Sequence, residues 1–171
     1  MIFFILLITI ALMEYLISTK RMDGVYSSSN IIGNFSTGFF LILFGILAEL
    51  LYIPFLIVAF SKVLHYDYPP FNIISFMWCL LLIEVSYYIL HRVHHVVPFF
   101  WIFHSVHHGD TKFNTSTSLR HSWFETLYTF YFYVPVLLIG FPPAMVIISY
   151  YTLYAYPCFV HMPYLKWPRF L

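Results

Sequence analysis

Nine histidines occur in this 171-residue chain, and six of them fall between His91 and His108. They form two boxes, His91-Arg92-Val93-His94-His95 and His104-Ser105-Val106-His107-His108. On a helix, residues three or four positions apart share a face, so His91 with His95, and His104 with His107 or His108, can converge on one ion. Neutral imidazole is a favoured ligand for iron, zinc and copper. The boxes therefore predict a metal site, and several histidines per ion without a nearby cysteine favour a dinuclear one.

Other histidines have less certain roles. His94 either replaces His95 as the partner of His91 or faces away from the site. For His121 three roles stay open: a ligand, a hydrogen-bond donor behind a ligand, or a membrane-interface residue. His65 is predicted at the opposite membrane face and is not expected to be a ligand.

The helix that leads into the first box carries a polar stripe. Glu84, Tyr87, Tyr88, His91 and His95 follow helical spacing. An ionisable residue inside a membrane span is costly and by default a functional candidate. We expect Glu84 to accept the second N–H of a ligating imidazole and so fix its tautomer. The alternative is a glutamate that pairs with a neighbouring tyrosine.

Membrane helices are predicted to position these boxes. The chain is 61% hydrophobic and 9% charged, whereas soluble domains are about 45–50% apolar and about 25% charged. Three runs have the roughly 20 apolar residues that a span requires: residues 2–18, 39–60 and 71–90. A fourth apolar region, residues 123–160, is interrupted at Gly140-Phe141-Pro142-Pro143 and predicts a helical hairpin. The expected fold is an all-α integral membrane protein with three transmembrane helices and this hairpin.

The basic residues predict the orientation. Threading five helices through a membrane leaves only Lys62 on one side and returns His161 to the side of the boxes. The histidine-rich face is therefore expected to be cytoplasmic, in the endoplasmic reticulum of a eukaryote or the inner membrane of a bacterium. The remaining basic residues lie on that face: Lys20, Arg21, Arg92, Lys112, Arg120, Lys166 and Arg169.

Composition excludes several classes of protein and of site. A net charge of +1 argues against nucleic acid as a partner. Cys79 and Cys158 lie far apart in apolar segments and indicate neither a disulfide framework nor a thiolate metal site. The N-terminal segment lacks the basic region and cleavage site of a signal peptide, so we expect a retained membrane helix. The sequons at Asn34 and Asn114 fall on the predicted cytoplasmic side and should carry no glycan.

In combination, these motifs resemble the fatty acid hydroxylase and sterol desaturase superfamily of membrane di-iron oxidases. The resemblance runs from about Glu84, where an aspartate is more usual, to His161, and the first seventy residues share only their membrane helices. Three further segments carry the resemblance: Phe103-His104-Ser105-Val106-His107-His108, the loop Phe113–Arg120 with Ser122-Trp123-Phe124-Glu125, and Phe159-Val160-His161. The second of these, the loop, looks closest to the alkylglycerol monooxygenase branch.

The resemblance implies one domain over residues 1–171, two iron ions and O₂-dependent hydroxylation or desaturation of a lipid C–H bond. It implies that electrons come from a donor protein, such as a haem cytochrome or a reductase, or from a reduced pterin. Arg120 and Lys112 either meet a lipid head group or a site water, or serve only as positive-inside residues. The implied ligands are His91, His95, His104, His107, His108 and His161.

One departure from the family pattern affects the expected activity. The family carries a third histidine box shortly after the position of His161, and this sequence ends before it. The sequence is then either a fragment of a longer protein or a truncated form with an incomplete site. We favour the fragment, and we expect the chain to be inactive by itself.

Three other functions are weighed against an oxidase. A membrane cytochrome would place isolated histidines on facing helices near mid-membrane. A zinc hydrolase would carry a motif such as His-Glu-x-x-His, which is absent. A non-catalytic membrane scaffold with relict boxes is the third. The sequence leaves open whether the lipid is a sterol, a fatty acyl chain or an ether lipid.

Overall fold

The computed structural model describes residues 2–63, 68–110 and 112–164, and within them all regular structure is helical. His65 lies outside the described residues. Short 3₁₀ turns at Thr115–Leu119, Trp123–Glu125 and Phe130–Phe132 separate some of the helices. The α-helices in chain order are α1 (Ile2–Arg21), α2 (Ser28–Val63), α3 (Ile73–Val96), α4 (Pro98–His108), α5 (Thr126–Thr129), α6 (Val134–Leu138) and α7 (Pro143–Val160).

Two helical segments in the described part of the chain are long and apolar enough to cross a membrane. They are Ser28–Ala48, within α2, and Ile73–Val96, which is α3. The predicted second span therefore belongs to a longer helix that begins eleven residues earlier (39 against 28). The first turns of this helix are held by Asn30 and Asn34, whose side-chain amides donate to the carboxylate of Asp110.

The boundaries of α3 follow from local chemistry. Asn72 caps its start: the side chain accepts the N–H of Ser75, and the Ser75 hydroxyl accepts the N–H of Asn72. At the other end, Pro98 disfavours helical geometry at the residue before it, and Val97 is extended (φ −103°, ψ 114°). Pro98 is then the first residue of α4. The first histidine box thus ends α3 and the second ends α4.

The predicted hairpin over residues 123–160 is only half regular. The turn lies where the glycine and prolines predict it, with Gly140 at φ +107° and Pro143 opening α7. The limb before the turn is a succession of short 3₁₀ and α segments rather than one helix. Pro135 accounts for part of this break, because a proline inside a continuous helix removes a backbone hydrogen bond and clashes with the preceding turn. It lies instead at the start of α6, where its missing N–H costs nothing.

The described core joins α3 to this irregular limb and to α7. Cys79 and Ile83 of α3 are fully buried against Val136 of α6 and Met145 and Val146 of α7. The same face of α3 continues through Ser86 and Leu90 to His94, which are all buried. The core therefore anchors the end of α3 that carries the first histidine box.

Candidate metal centre

The two ligands predicted in the first box lie side by side. His91 and His95 are one helical turn apart on α3, and their Nε2 atoms are 3.2 Å from each other. Nitrogens that bind the same ion at about 2.1 Å are expected roughly 3.0–3.4 Å apart. The first box therefore presents two imidazoles at the separation that a shared ion requires.

The turn at Pro98 brings the second box against the first. The ring centre of His104 lies 4.8 Å from that of His91 and 5.1 Å from that of His95. The ring centre of His108 lies 4.7 Å from that of His95 and 5.0 Å from that of His104. One nitrogen from each of these four histidines falls within 4.8 Å of the other three. The arrangement can hold one metal ion.

The surroundings of His104 show whether the residues at this point fit a metal ion. The residue is 2% exposed, and neither ring nitrogen has a hydrogen-bond partner. A buried polar group without a partner costs about 1–3 kcal/mol, so such groups are rare in folded proteins. A metal ion bound by Nε2 would satisfy one of these two nitrogens, and the residues present therefore fit an ion.

Glu125 supplies the carboxylate nearest to the boxes. Its Oε1 lies 3.6 Å from Nδ1 of His104, and its Oε2 lies 3.2 Å from Nδ1 of His121. Burial raises the pKa of this carboxyl, but its contacts with His104 and His121 outweigh burial and hold the pKa well below its usual range. Glu125 is therefore an anion at neutral pH.

His107 lies beside the four-histidine group in a different setting. Its Nδ1 is 3.1 Å from the carbonyl of Arg120, and its ring stacks on His121 with 4.4 Å between centres. The ring of His161 lies 5.6 Å away. Burial, followed by the charges of His121 and His161, lowers the pKa of His107 to about 2. The three histidines thus form a second group beside the first, in which His107 is a neutral imidazole at pH 7.

His94 faces the protein interior rather than the open side of the site. It is 3% exposed, and its Nε2 lies 2.9 Å from the hydroxyl of Tyr128. Its ring nonetheless lies 4.5 Å from that of His104. Donor atoms of His94, His104 and Glu125 fall within 4.8 Å of one another, as a second potential metal-binding group. The structure thus places His94 beside His104 and Tyr128, and its role in metal binding stays a prediction.

Arg120 has a structural role that its sequence context did not predict. Its Nε donates to the carbonyl of Val106, and its Nη1 donates to Oδ1 of Asn34. Asn34 also donates to the buried carboxylate of Asp110. These bonds tie α2 to the loop behind the second box and hold the Arg120 carbonyl at His107.

Glu84 is placed away from the imidazoles that it was expected to orient. It is exposed on α3, and among the residues that the structure describes Glu125 is the carboxylate that lies close to histidine nitrogens. Two signals in the sequence pointed to Glu125: an acidic residue inside an apolar run, and a spacing of four from His121. No sequence pattern indicated Asn34 or Asp110, because their contacts join residues about eighty positions apart.

More than half of the chain is similar to a known protein family. Residues 76–171 match the family model described as fatty acid hydroxylase. No solved structure shows a significant match.

Several curated proteins similar to this chain are named alkylglycerol monooxygenase. The Danio rerio protein is 30% identical over 84 residues, which cover 49% of this chain and 19% of that protein. The Homo sapiens protein is 35% identical over 63 residues, covering 37% of the chain and 14% of that protein. The Caenorhabditis elegans protein is 39% identical over 46 residues, which cover 27% of this chain and 9% of that protein. The chain spans less than a fifth of each of these relatives. Because the family model covers more than half of the chain, the chain belongs to the fatty acid hydroxylase family.

Proposed function

We propose that this chain carries the metal centre of an O₂-dependent membrane oxidoreductase that attacks a lipid C–H bond. The observation that carries the proposal is the convergence of His91, His95, His104 and His108 within 4.8 Å. Iron bound there would supply the reduction of O₂ and the oxidation of an unactivated carbon. The protein's own part is to hold neutral imidazoles in place and to leave coordination positions open.

A second iron is assigned to the remaining predicted ligands. His107 and His161 lie next to each other and next to His121. Burial also lowers the pKa of His108, as it does that of His107, so these imidazoles stay neutral near pH 7 and are ready to bind metal. The proposed ligands are His91, His95, His104 and His108 for one ion, and His107 and His161 for the other.

The proposed substrate is a lipid with a long hydrocarbon chain. The relatives named alkylglycerol monooxygenase favour an ether lipid over a sterol or a fatty acyl chain. An open apolar groove lies along the membrane-spanning part of α3 and can accommodate hydrocarbon. Leu82, Val85 and Ile89 line it on α3, and Tyr131, Pro135 and Ile139 line its opposite wall.

The proposal also includes a membrane topology and a source of electrons. One multi-pass domain over residues 1–171 would place the histidines at the cytoplasmic face, where a donor protein or a reduced pterin can deliver electrons. Glu14 of α1 accepts the N–H of Thr115, and Asn34 of α2 donates to the hydroxyl of Ser116. These contacts support a single unit, because the N-terminal helices bind the loop that follows the second box.

Elemental analysis of detergent-purified protein, reconstituted with Fe²⁺ under anaerobic conditions, tests the proposal. We expect about two irons per chain, and a clear loss in a variant that combines His91→Ala with His95→Ala. His65→Ala, a histidine outside both boxes, is the matched control and should retain the metal. Stoichiometric haem or zinc in protein as isolated would contradict the oxidase assignment, and failure to bind metal would favour a scaffold.

A further inference from the structure

Glu125 joins histidines from two different segments of the chain. The residue is 7% exposed, its Oε2 is 3.2 Å from Nδ1 of His121, and its Oε1 faces Nδ1 of His104 at 3.6 Å. Oε1 has no hydrogen-bond partner, and neither has that nitrogen of His104. Two buried polar atoms without partners therefore face each other across a gap slightly longer than a hydrogen bond.

The two nitrogens of His104 have different surroundings. Nδ1 faces the carboxylate, so Nε2 is the nitrogen left for the group formed by His91, His95 and His108. A neutral imidazole that ligates through one nitrogen carries its proton on the other, and a hydrogen-bond acceptor there fixes both the tautomer and the ring orientation. Glu125 lies where such an acceptor is required.

We infer that Glu125 is the positioning carboxylate of the metal centre, accepting the Nδ1–H of both His104 and His121. The inference rests on the proposed function, since it concerns the same metal centre. It also gives His121 a role: a ring, held through Nδ1, that stacks on His107. One carboxylate thereby supports both histidine groups, directly at His104 and through His121 at His107.

A role as metal ligand fits the surroundings of Glu125 less well. An ion shared by Oε1 and Nδ1 of His104 would make that ring bridge two ions, because Nε2 already serves the four-histidine group. The ring would then have to lose both of its protons. Accepting a hydrogen bond needs only a neutral imidazole and a small closure of the 3.6 Å gap.

Titration of the metal-free full chain with Co²⁺, followed by visible absorption, tests the inference. Glu125→Gln keeps the size of the side chain and removes its charge. We expect affinity about 10–100-fold weaker, with the same number of ions bound at saturation. Asp23→Asn, which removes an exposed carboxylate bonded to Ser18, should stay within about twofold of the wild type.

Three results would overturn the inference or its basis. Unchanged Co²⁺ affinity in Glu125→Gln would show that the carboxylate does not position the ligands. One ion fewer at saturation would make Glu125 a ligand instead. A wild-type chain that binds no Co²⁺ would contradict the proposed function itself, whatever the variant does.

A measurement on the metal-free wild-type chain covers the case in which Glu125→Gln does not fold. Nitrogen-15 NMR of histidine-labelled protein distinguishes the two imidazole tautomers, and His104→Ala and His121→Asn identify the two signals. We expect both rings to carry their proton on Nδ1. A proton on Nε2 of either ring would overturn the inference, and a purely packing role for Glu125 would impose no such preference.

Discussion

The three histidines of the second box have different surroundings although they lie within one turn and a half of helix. His104 is buried with both nitrogens unsatisfied, His107 bonds to a backbone carbonyl, and His108 is exposed. Helical spacing alone predicted that His104 pairs with one of the other two. The choice of His108 for the four-histidine group depends on the turn at Pro98, which sequence spacing does not specify.

His104 should be the most sensitive ligand position. Replacing it with alanine removes a ligand and also removes the ring nitrogen that faces Oε1 of Glu125 at 3.6 Å. We expect His104→Ala to weaken Co²⁺ binding by more than about 100-fold. Substituting a residue that only hydrogen-bonds to a ligand already lowers metal affinity about 10–100-fold. Titration against the His65→Ala control measures this, and a loss of less than tenfold would exclude His104 as a ligand.

Acid should destabilise the metal-free protein before any carboxylate titrates. The pKa of His107 is lowered to about 2 in the folded chain, whereas the unfolded value is about 6.5. The unfolded state then binds more protons below pH 6.5, so stability falls as the pH falls through that range. We expect a lower thermal unfolding midpoint at pH 5.5 than at pH 7.5. In His107→Asn the pH-dependent decrease should be smaller, and an equal decrease would contradict the assignment.

At the scale of elements, the loop after the second box is held by α1 and α2. Asp110 accepts hydrogen bonds from the side chains of Asn30, Asn34 and Thr117, and it is 8% exposed. The start of α3, the break at Pro98 and the turn at Gly140 could be predicted from the sequence, because each depends on a cap, a proline or a glycine nearby. The attachment of the loop could not, since its partners are distant in sequence.

Asp110→Asn should therefore destabilise the fold. The new amide would place an N–H group against donors that now meet a carboxylate, and each unsatisfied buried group costs about 1–3 kcal/mol. We expect the thermal unfolding midpoint in detergent to fall by several degrees. Asp23→Asn, at an exposed position between α1 and α2, should shift the midpoint little. Equal midpoints for the two variants would show that Asp110 is not a structural anchor.

At the scale of the whole molecule, apolar helices converge on one polar face. The carboxyl end of α1, the start of α2 and the loop after the second box all meet there. Tyr26 and the N–H of Thr115 bond to Glu14, and Lys112 bonds to the carbonyl of Gly24. The composition and the number of predicted helices already placed the end of α1 and the loop after the second box on the same side of the chain. The early start of α2 was not predicted, because the partners of its Asn30 and Asn34 side chains lie about eighty positions away in the sequence.

The orientation of this face can be measured directly. In a chain with Cys79 and Cys158 replaced by alanine, Ser29→Cys at the exposed start of α2 should react with a membrane-impermeant thiol reagent only from the cytoplasmic side. Tyr68→Cys lies shortly before α3 begins, at the end of that helix away from the histidine boxes, and should react only from the opposite side of the membrane. Labelling of both positions from one side would contradict the proposed topology.

The central claim is that imidazoles from both boxes bind the same iron. X-ray absorption at the iron edge, on detergent-purified chain loaded with Fe²⁺, tests it most directly. The structure predicts a shell of nitrogen ligands near 2.1 Å with the outer-shell scattering of several imidazoles, reduced in both His91→Ala and His104→Ala. An iron surrounded by oxygen or sulfur, or a spectrum that neither substitution changes, would contradict the claim.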